Sequence, residues 1–403
     1  MQPERAVLVS LVEQATVSVG PHAPFWRLEM RQWLRAGIAV AVSTVCCMAQ
    51  AGPLPDYRAV PVMTTAADGV RVVPTGINNQ GSVIGVLNLG WDYHGFVERG
   101  GVTAWLPTLG GNLANAGAIN HAGDIVYQSE TAGGEMRATL YRDGQVIDLA
   151  PASSRSNVGA VSQSGQWMAG DMWCAACGGY NQAAVYTQGG VQSLGTLGGN
   201  SSRAEGVNDA GQVVGFSYLA GNPSPRAFLY ENGLMRDLGD FGGAIASASA
   251  INQAGQIVGT ADDAGGVAHA FLYENGRMID LGTLYPGRAT AATAINDSGM
   301  IVGVGTWAST TDSAFVWREG VMMDLNALLD PASGWRIDDA RGINDFGQIA
   351  AHGCNAGLGV CGVLRLDPLT PVPEPASYAM LAAGLGLLGA AAQRRSRVRN
   401  GTA

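Results

Sequence analysis

The chain has 403 residues, of which 47% are hydrophobic and 58 are glycine, a composition that fits a globular, turn-rich β protein with room for two or three domains. All 23 basic residues are Arg, and the formal net charge is −9. Residues 52–375 hold 15 Arg against 29 Asp plus Glu, a net of −14, which argues against a nucleic-acid partner, since that needs basic patches to meet phosphates.

Residues 1–51 read as a targeting segment with a preface. Arg31 and Arg35 precede an apolar run, Ala36 to Met48, and Ala49-Gln50-Ala51 is a small-residue cleavage site before Gly52. Translation from Met30 makes 30–51 a Sec-type signal peptide cleaved after Ala51, with Ala49 and Ala51 as its recognition pair. Residues 1–29 are then a mis-called extension. An internal hydrophobic helix is the alternative reading. Cleavage would remove Cys46 and Cys47 and deliver the rest to an oxidising compartment.

From about residue 56 the chain repeats itself. Asn recurs as a register mark at Asn78, Asn120, Asn208, Asn252, Asn296 and Asn344, with Ser162 in the remaining place, at steps of 42, 42, 46, 44, 44 and 48 residues. Gly follows three residues later (Gly81, Gly123, Gly165, Gly211, Gly255, Gly299, Gly347), Ile or Val precedes the mark, and Gly or Ala precedes that. A second turn follows in six repeats, with Gly101, Gly144, Gly189, Gly233, Gly276 and Gly320, each five residues before a Leu. Asn275-Gly276 between alternating apolar runs predicts a type I′ hairpin, because both central residues need positive φ.

A period near 44 with four short strands per unit is the pattern of a propeller blade. The expected fold is therefore an all-β propeller of seven four-stranded blades over residues 52–367. The seventh repeat stops after a third strand, Gly362 to Leu366, and the extended run Tyr57 to Met63 is predicted to supply its fourth and close the ring. The small residue before each Ile or Val suits a crowded place near the axis. A six- or eight-bladed ring and an open solenoid fit the same period.

Within the repeats, Cys174, Cys177, Cys354 and Cys361 are an even set in an exported protein, and two local disulfides, 174–177 and 354–361, are expected. A redox motif lacks its strand-to-helix context, a four-Cys zinc site needs the two pairs to meet, and free thiols remain open. His94 and His269 share a strand-entry column, His121 is a turn residue and His352 is isolated, all read as structural. Asn208-Asp209, Asn296-Asp297 and Asn344-Asp345 hint at calcium. The second position is Asn79, His121, Gln163 or Gln253 elsewhere, so Asx turns are expected and no metal or cofactor. Trp91, Trp173 and Trp307 are read as loop residues able to stack on sugar rings.

The C-terminal end is a three-part signal: Val372-Pro373-Glu374-Pro375 in a Pro-rich linker (368–375), an apolar Gly/Ala/Leu segment (376–393) that predicts a transmembrane helix, and a basic tail (394–403) with Arg394, Arg395, Arg397 and Arg399. The arginines put the tail in the cytoplasm and the repeats outside. This arrangement resembles the PEP-CTERM sorting signal, which implies recognition and cleavage by an exosortase, a membrane transpeptidase-like enzyme, and delivery to the cell surface, often with exopolysaccharide. A permanent tail anchor is the alternative. His269-Ala270-Phe271-Leu272-Tyr273 with Asp280-Leu281-Gly282 is similar to the HAF repeat of extracellular proteins, with nearer variants at Arg226 and Ser313 and the largest departures at Ala138 and Ala183. That resemblance implies location and architecture and no mechanism.

No GxSxG elbow, HExxH or phosphate loop occurs in the sequence. The expected function is non-catalytic binding or scaffolding at the surface or in the matrix, with Sec, exosortase and an exopolysaccharide or other matrix component as partners. The other class is an exported hydrolase or lyase with its site in the propeller channel. An enzyme would break the repeat symmetry with charged residues converging at one end of the channel. The repeat columns read here carry Ile, Val, Gly, Ala and Leu.

Overall fold

The computed structural model describes residues 54–66, 70–153, 155–306 and 312–369, so the signal segment, the sorting tail with its predicted membrane helix, and Trp307 lie outside the described residues. Apart from three short 3-10 turns (Ala175–Cys177, Leu325–Leu328, Pro331–Ser333), the regular structure described is all β-strand. The strands form seven four-stranded antiparallel units: 71–105, 110–148, 156–195, 198–237, 242–280, 290–324, and 335–368 completed by Tyr57–Ala66. A single parallel bridge, His94 to Ala114, joins units 1 and 2 into one sheet.

Each unit begins with an inner strand. These are Arg71–Ile77, Gly110–Ile119, Ser156–Val161, Gly198–Val207, Gly242–Ile251, Thr290–Ile295 and Trp335–Ile343. Each packs beside the next, and Trp335–Ile343 packs beside Arg71–Ile77, so the order is cyclic. No sheet closes on itself; the arrangement is consistent with a β-propeller.

The N-terminal strand does complete the last unit. It pairs with Val360–Pro368 from Tyr57↔Pro368 to Ala66↔Val360, with an irregularity between Pro61 and Met63. Both partners are longer than their predicted bounds, and the association runs past residue 367, since Leu369 N–H donates to Asp56 O at 2.8 Å. The I′ turn is present as predicted at Asn275-Gly276, with positive φ at both positions, and Asn232-Gly233 adopts the same conformation. Unit 3 differs: the positive φ falls on Gly190 and not on the expected Gly189, although Thr187 pairs with Gly190 at the same spacing as Glu274 with Arg277.

The core is built between the units. Its seven apolar clusters each draw on two successive units, and one joins unit 7 to unit 1 through Val72, Ile77, Val83 and Phe96 against Ala350 and Val363. Phe96, Phe228, Phe271 and Phe315 are fully buried, each contributing roughly 1.5–3 kcal/mol.

Room for those rings comes from a Gly on the paired strand. A Cβ on Gly259, opposite Phe271, would lie 2.1 Å from Ser247 O and 2.9 Å from the Phe271 ring. Unit 2 reaches the same volume by exchange, with Tyr127 opposite Thr139 and the Tyr127 hydroxyl donating to Pro107 O at 2.8 Å. That swap explains why the repeat at Ala138 departs from the others, with Thr139 in the column of Phe228 and Phe271. The small residue before each Ile or Val is crowded as expected: a Cβ on Gly342 would meet Gly76 Cα at 3.2 Å.

Gly259→Ala should therefore cost about 2 kcal/mol in chemical denaturation, whereas Gly159→Ala, whose Cβ would meet open space, should change stability by less than about 0.5 kcal/mol. Equal effects at the two sites would contradict this packing.

Candidate functional site

The inner strands all run the same way along the axis, and this divides the ring into two ends. Arg71 pairs with Asn88, and Asn88 with Tyr93, so the 89–92 loop stands at the starting end of the inner strand. The same holds for the 175–179 loop, through Ser156↔Met172 and Cys174↔Tyr180, and for the 356–359 loop, through Cys354↔Cys361. The Asn-x-x-Gly and Asn-Gly turns lie at the opposite end. We call these the loop end and the turn end.

The loop end opens into an axial cavity of about 630 Å³ to which every inner strand contributes, with Thr75, Gly117, Gly159, Glu205, Ser249, Thr293 and Arg341 as its deepest layer. All seven occupy one sequence column, two residues before the Ile/Val mark. Arg71, Arg203, Asn88 and Ser247 line the cavity nearer the mouth. Charge does converge here, contrary to the sequence expectation, because Glu205 and Arg341 replace the small residues of that column. The signal was present in the sequence but lay one step away from the columns that define the repeat.

The charged groups are braced from behind. Arg203 Nε lies 3.0 Å from Glu205 Oε1 and 3.5 Å from Asp171 Oδ1. Asp171 is fixed by the side-chain amides of Asn157 and Asn181 at 3.1 and 2.9 Å. Arg341 Nε donates to Asp339 Oδ2 at 2.6 Å. The terminal guanidinium nitrogens of Arg203 and Arg341 make no hydrogen bond among the described residues, and Arg71 makes neither a hydrogen bond nor an ion pair there. Thr75 Oγ1 is shielded and has no hydrogen-bond partner there either. Burial pushes the Glu205 carboxyl above its ordinary value, an effect that Arg203 partly offsets. Burial likewise raises Asp171, against the Asn157 amide and Arg203.

The turn end is closed differently. Ile77, Ile119, Val161, Val207, Ile251, Ile295 and Ile343 line a separate cavity of about 140 Å³ with the marked Asn residues and their neighbours. Each Asn of the Asn-x-x-Gly turns closes its own turn, as Asn252 Oδ1 does by accepting from Gln256 N at 2.9 Å. The amide nitrogen is left to cross to the next unit: Asn208 to Asn252 O, Asn252 to Asn296 O, Asn296 to Asn344 O, and Asn344 to Asn78 O at 2.9 Å. The Asp residues beside them accept from neighbouring backbone, Gln253 N to Asp297 at 2.9 Å and Asp297 N to Asp345 at 2.9 Å. These are the Asx turns expected, and among the described residues no group of His, Cys, Asp and Glu is arranged to hold a metal ion.

The other sequence candidates fall as follows. Trp91 is 90% exposed in the loop-end segment 89–92. Trp173 is not a loop residue: it belongs to the strand Met168–Cys174, where it is exposed with its ring close to Gly179. Cys174 and Cys177 lie at disulfide distance, as do Cys354 and Cys361, with Cα separations of 5.1 and 4.0 Å. The two pairs sit in units 3 and 7, each local. His94 stacks edge-on against Trp105, His269 bonds Asp280 at 3.0 Å, His352 bonds Asp338 at 2.6 Å, and His121 joins Asn79 and Asp345 in the turn-end layer. Ala49, Ala51, Val372, Pro373, Glu374, Pro375, Arg394 and Arg395 lie outside the described residues.

Residues 371–395 match the PEP-CTERM protein-sorting motif, which implies an exported, cell-surface-directed protein processed by an exosortase. No curated protein matches the chain. Among solved structures it is similar to a puromycin-hydrolyzing peptidase of Mycobacterium tuberculosis (13% identity, TM-score 0.47, over 81% of this chain and 58% of that one). It is also similar to a prolyl endopeptidase (9%, 0.49, 76% and 51%) and to YCF48 from Cyanidioschyzon merolae (12%, 0.47, 78% and 100%). The chain thus spans between half and three fifths of the two peptidases. Among the described residues no helix is long and apolar enough to cross a membrane.

Two outcomes follow from this geometry. Because the folded chain holds the Glu205 proton more tightly than the unfolded chain does, stability from this group is full below its ordinary value of 4.5 and falls as pH rises through the raised one. Glu205→Gln should therefore gain on the wild type in melting temperature as pH goes from about 4 to about 8; a constant difference would refute the raised acidity. Peptide mapping of exported protein without reductant should find Cys174–Cys177 and Cys354–Cys361 joined locally, and free thiols or a cross-pairing would refute it.

Proposed function

We propose that residues 54–369 are a closed seven-bladed propeller that works outside the cell as a non-catalytic binding module, carrying its ligand site at the loop end. The observation that supports this is where the chain enters and leaves. Ala59 pairs with Leu366, Leu366 with Ile349, and Ile349 with Ile343, which lies at the turn end. Both termini of the domain therefore sit at that end, and the sorting motif starts two residues after Leu369. A tether through residues 371–395 holds the turn end toward the membrane. The axial cavity, Trp91 and both cysteine loops then face away from it, toward the matrix.

In this reading 376–393 holds the precursor in the inner membrane, with Arg394 and Arg395 stopping transfer. Exosortase then cuts near Pro373-Glu374-Pro375, where proline on both sides of Glu374 keeps the segment extended. The likeness to HAF repeats fits an extracellular location, and an exopolysaccharide is the partner that the sorting signal favours. A second reading, an exported hydrolase or lyase, draws on Glu205 as a raised carboxyl in a polar cavity.

The test has two parts. A tag placed before Pro371 should be found on a shortened, membrane-free species in the host, and on full-length, membrane-bound protein when Glu374 is Ala or when Arg394, Arg395, Arg397 and Arg399 are Ser. Identical retention of all forms would mean a permanent anchor. Purified 52–370 should bind selected glycans on an array without turning them over, and turnover abolished by Glu205→Gln with binding intact would establish the enzyme reading instead.

A further inference from the structure

From the cavity's own chemistry we infer that it takes a compact polyhydroxylated anion, as presented by the acidic end group of a saccharide, with the anionic group on the free guanidinium ends of Arg71, Arg203 and Arg341. This rests on the binding reading above and names its ligand class. Three observations carry it.

The first is that the three arginines are aimed and unspent. Arg341 is held through Nε by Asp339, and Arg203 Nε lies in ion-pair range of Glu205 and Asp171, which leaves the terminal nitrogens that can bind a carboxylate or phosphate in bidentate fashion. Arg71 has no protein partner among the described residues, although the cavity lies in a domain whose net charge is strongly negative. Arg71 and the outer nitrogens of Arg203 and Arg341 thus present donors to one space, from which an anion can accept.

The second is the rest of the lining. Thr75, Ser247, Ser249, Thr293 and Asn88 surround the arginines, and the shielded Thr75 hydroxyl lacks a partner within the protein. Glu205 adds one strong acceptor. A bare anion would leave these groups unused, whereas a molecule with several hydroxyls satisfies them.

The third is shape. The cavity is open at the loop end and stops at the layer of Thr75 and Arg341, while the Ile and Val layer lines only the separate turn-end cavity. A cavity of about 630 Å³ that opens at the loop end suits the end of a saccharide chain. Exposed Trp91 at the same end offers an apolar face to sugar rings further along.

The experiment is calorimetric titration of the purified 52–370 domain with glucuronate, glucose 6-phosphate, glucose and inorganic phosphate at low salt. Saturable binding of glucuronate, of glucose 6-phosphate or of both, at least tenfold tighter than glucose and than phosphate, is the expected result, and the relative strength of the two assigns carboxylate or phosphate as the anion. Arg71→Ser, which removes no internal contact, should weaken binding by roughly 10-fold to 100-fold. Gly159→Trp, which places an indole in open cavity space, should abolish it with the melting temperature retained. Equal binding of glucose, equal binding of phosphate, or indifference to both substitutions would overturn the inference. If neither anionic sugar binds while the domain still binds neutral glycans on the array, this inference fails and the binding reading stands; if nothing binds in either assay, both fail.

Discussion

Everything in this domain depends on the packing of each small sheet against its two neighbours. A four-stranded unit has two apolar faces and cannot bury either alone. The clusters that hold Phe96, Phe228, Phe271 and Phe315 each lie between neighbouring units, and that of Phe96 joins unit 7 to unit 1. Closure is thus the condition for stability: an open row would expose a full apolar face at each end. The strand Tyr57–Ala66 and the bond from Asn344 to Asn78 O are the devices that meet it, with Asn and Asp side chains at the turn end linking unit to unit in the same direction.

That repetition leaves little freedom for chemistry. Positions that face a neighbour are held to apolar residues, and to Gly where the approach is closest, as a Cβ on Gly259 or Gly342 shows. Only positions that face the axis or the loops are free to vary, and variation there is what distinguishes one unit from another. Glu205 and Arg341 stand in a column otherwise filled by Thr, Gly and Ser. Their positions in units 4 and 7 put them on different parts of the ring, so the cavity has an acidic-basic pair at one place and an arginine at another.

The sequence carried the fold because its marks are backbone requirements. Gly255 and Gly276 sit at positive φ, Asn252 closes a turn, and both kinds of turn recur at steps close to 44 residues. The closing strand was legible from the truncated last repeat alone. Less was legible where side chains substitute for one another, as when Tyr127 opposite Thr139 replaces Gly opposite Phe. The strand end that takes in Trp173 and the shift of positive φ to Gly190 were hidden for the same reason: neither breaks a hydrophobic pattern. The cavity was missed because its lining residues, some 40 positions apart in the chain, become neighbours only when the ring closes.

Closure is the central claim, and amide hydrogen exchange on the intact domain tests it most directly. In a closed ring every unit has two neighbours, so the second strands of the terminal units, Val83–Asn88 and Ile349–Asn355, should exchange as slowly as Ile257–Asp263 on the far side, and all should be released together in one cooperative opening. Exchange that is fast in units 1 and 7 and slows progressively toward the middle of the chain would show an open row of sheets and contradict the account.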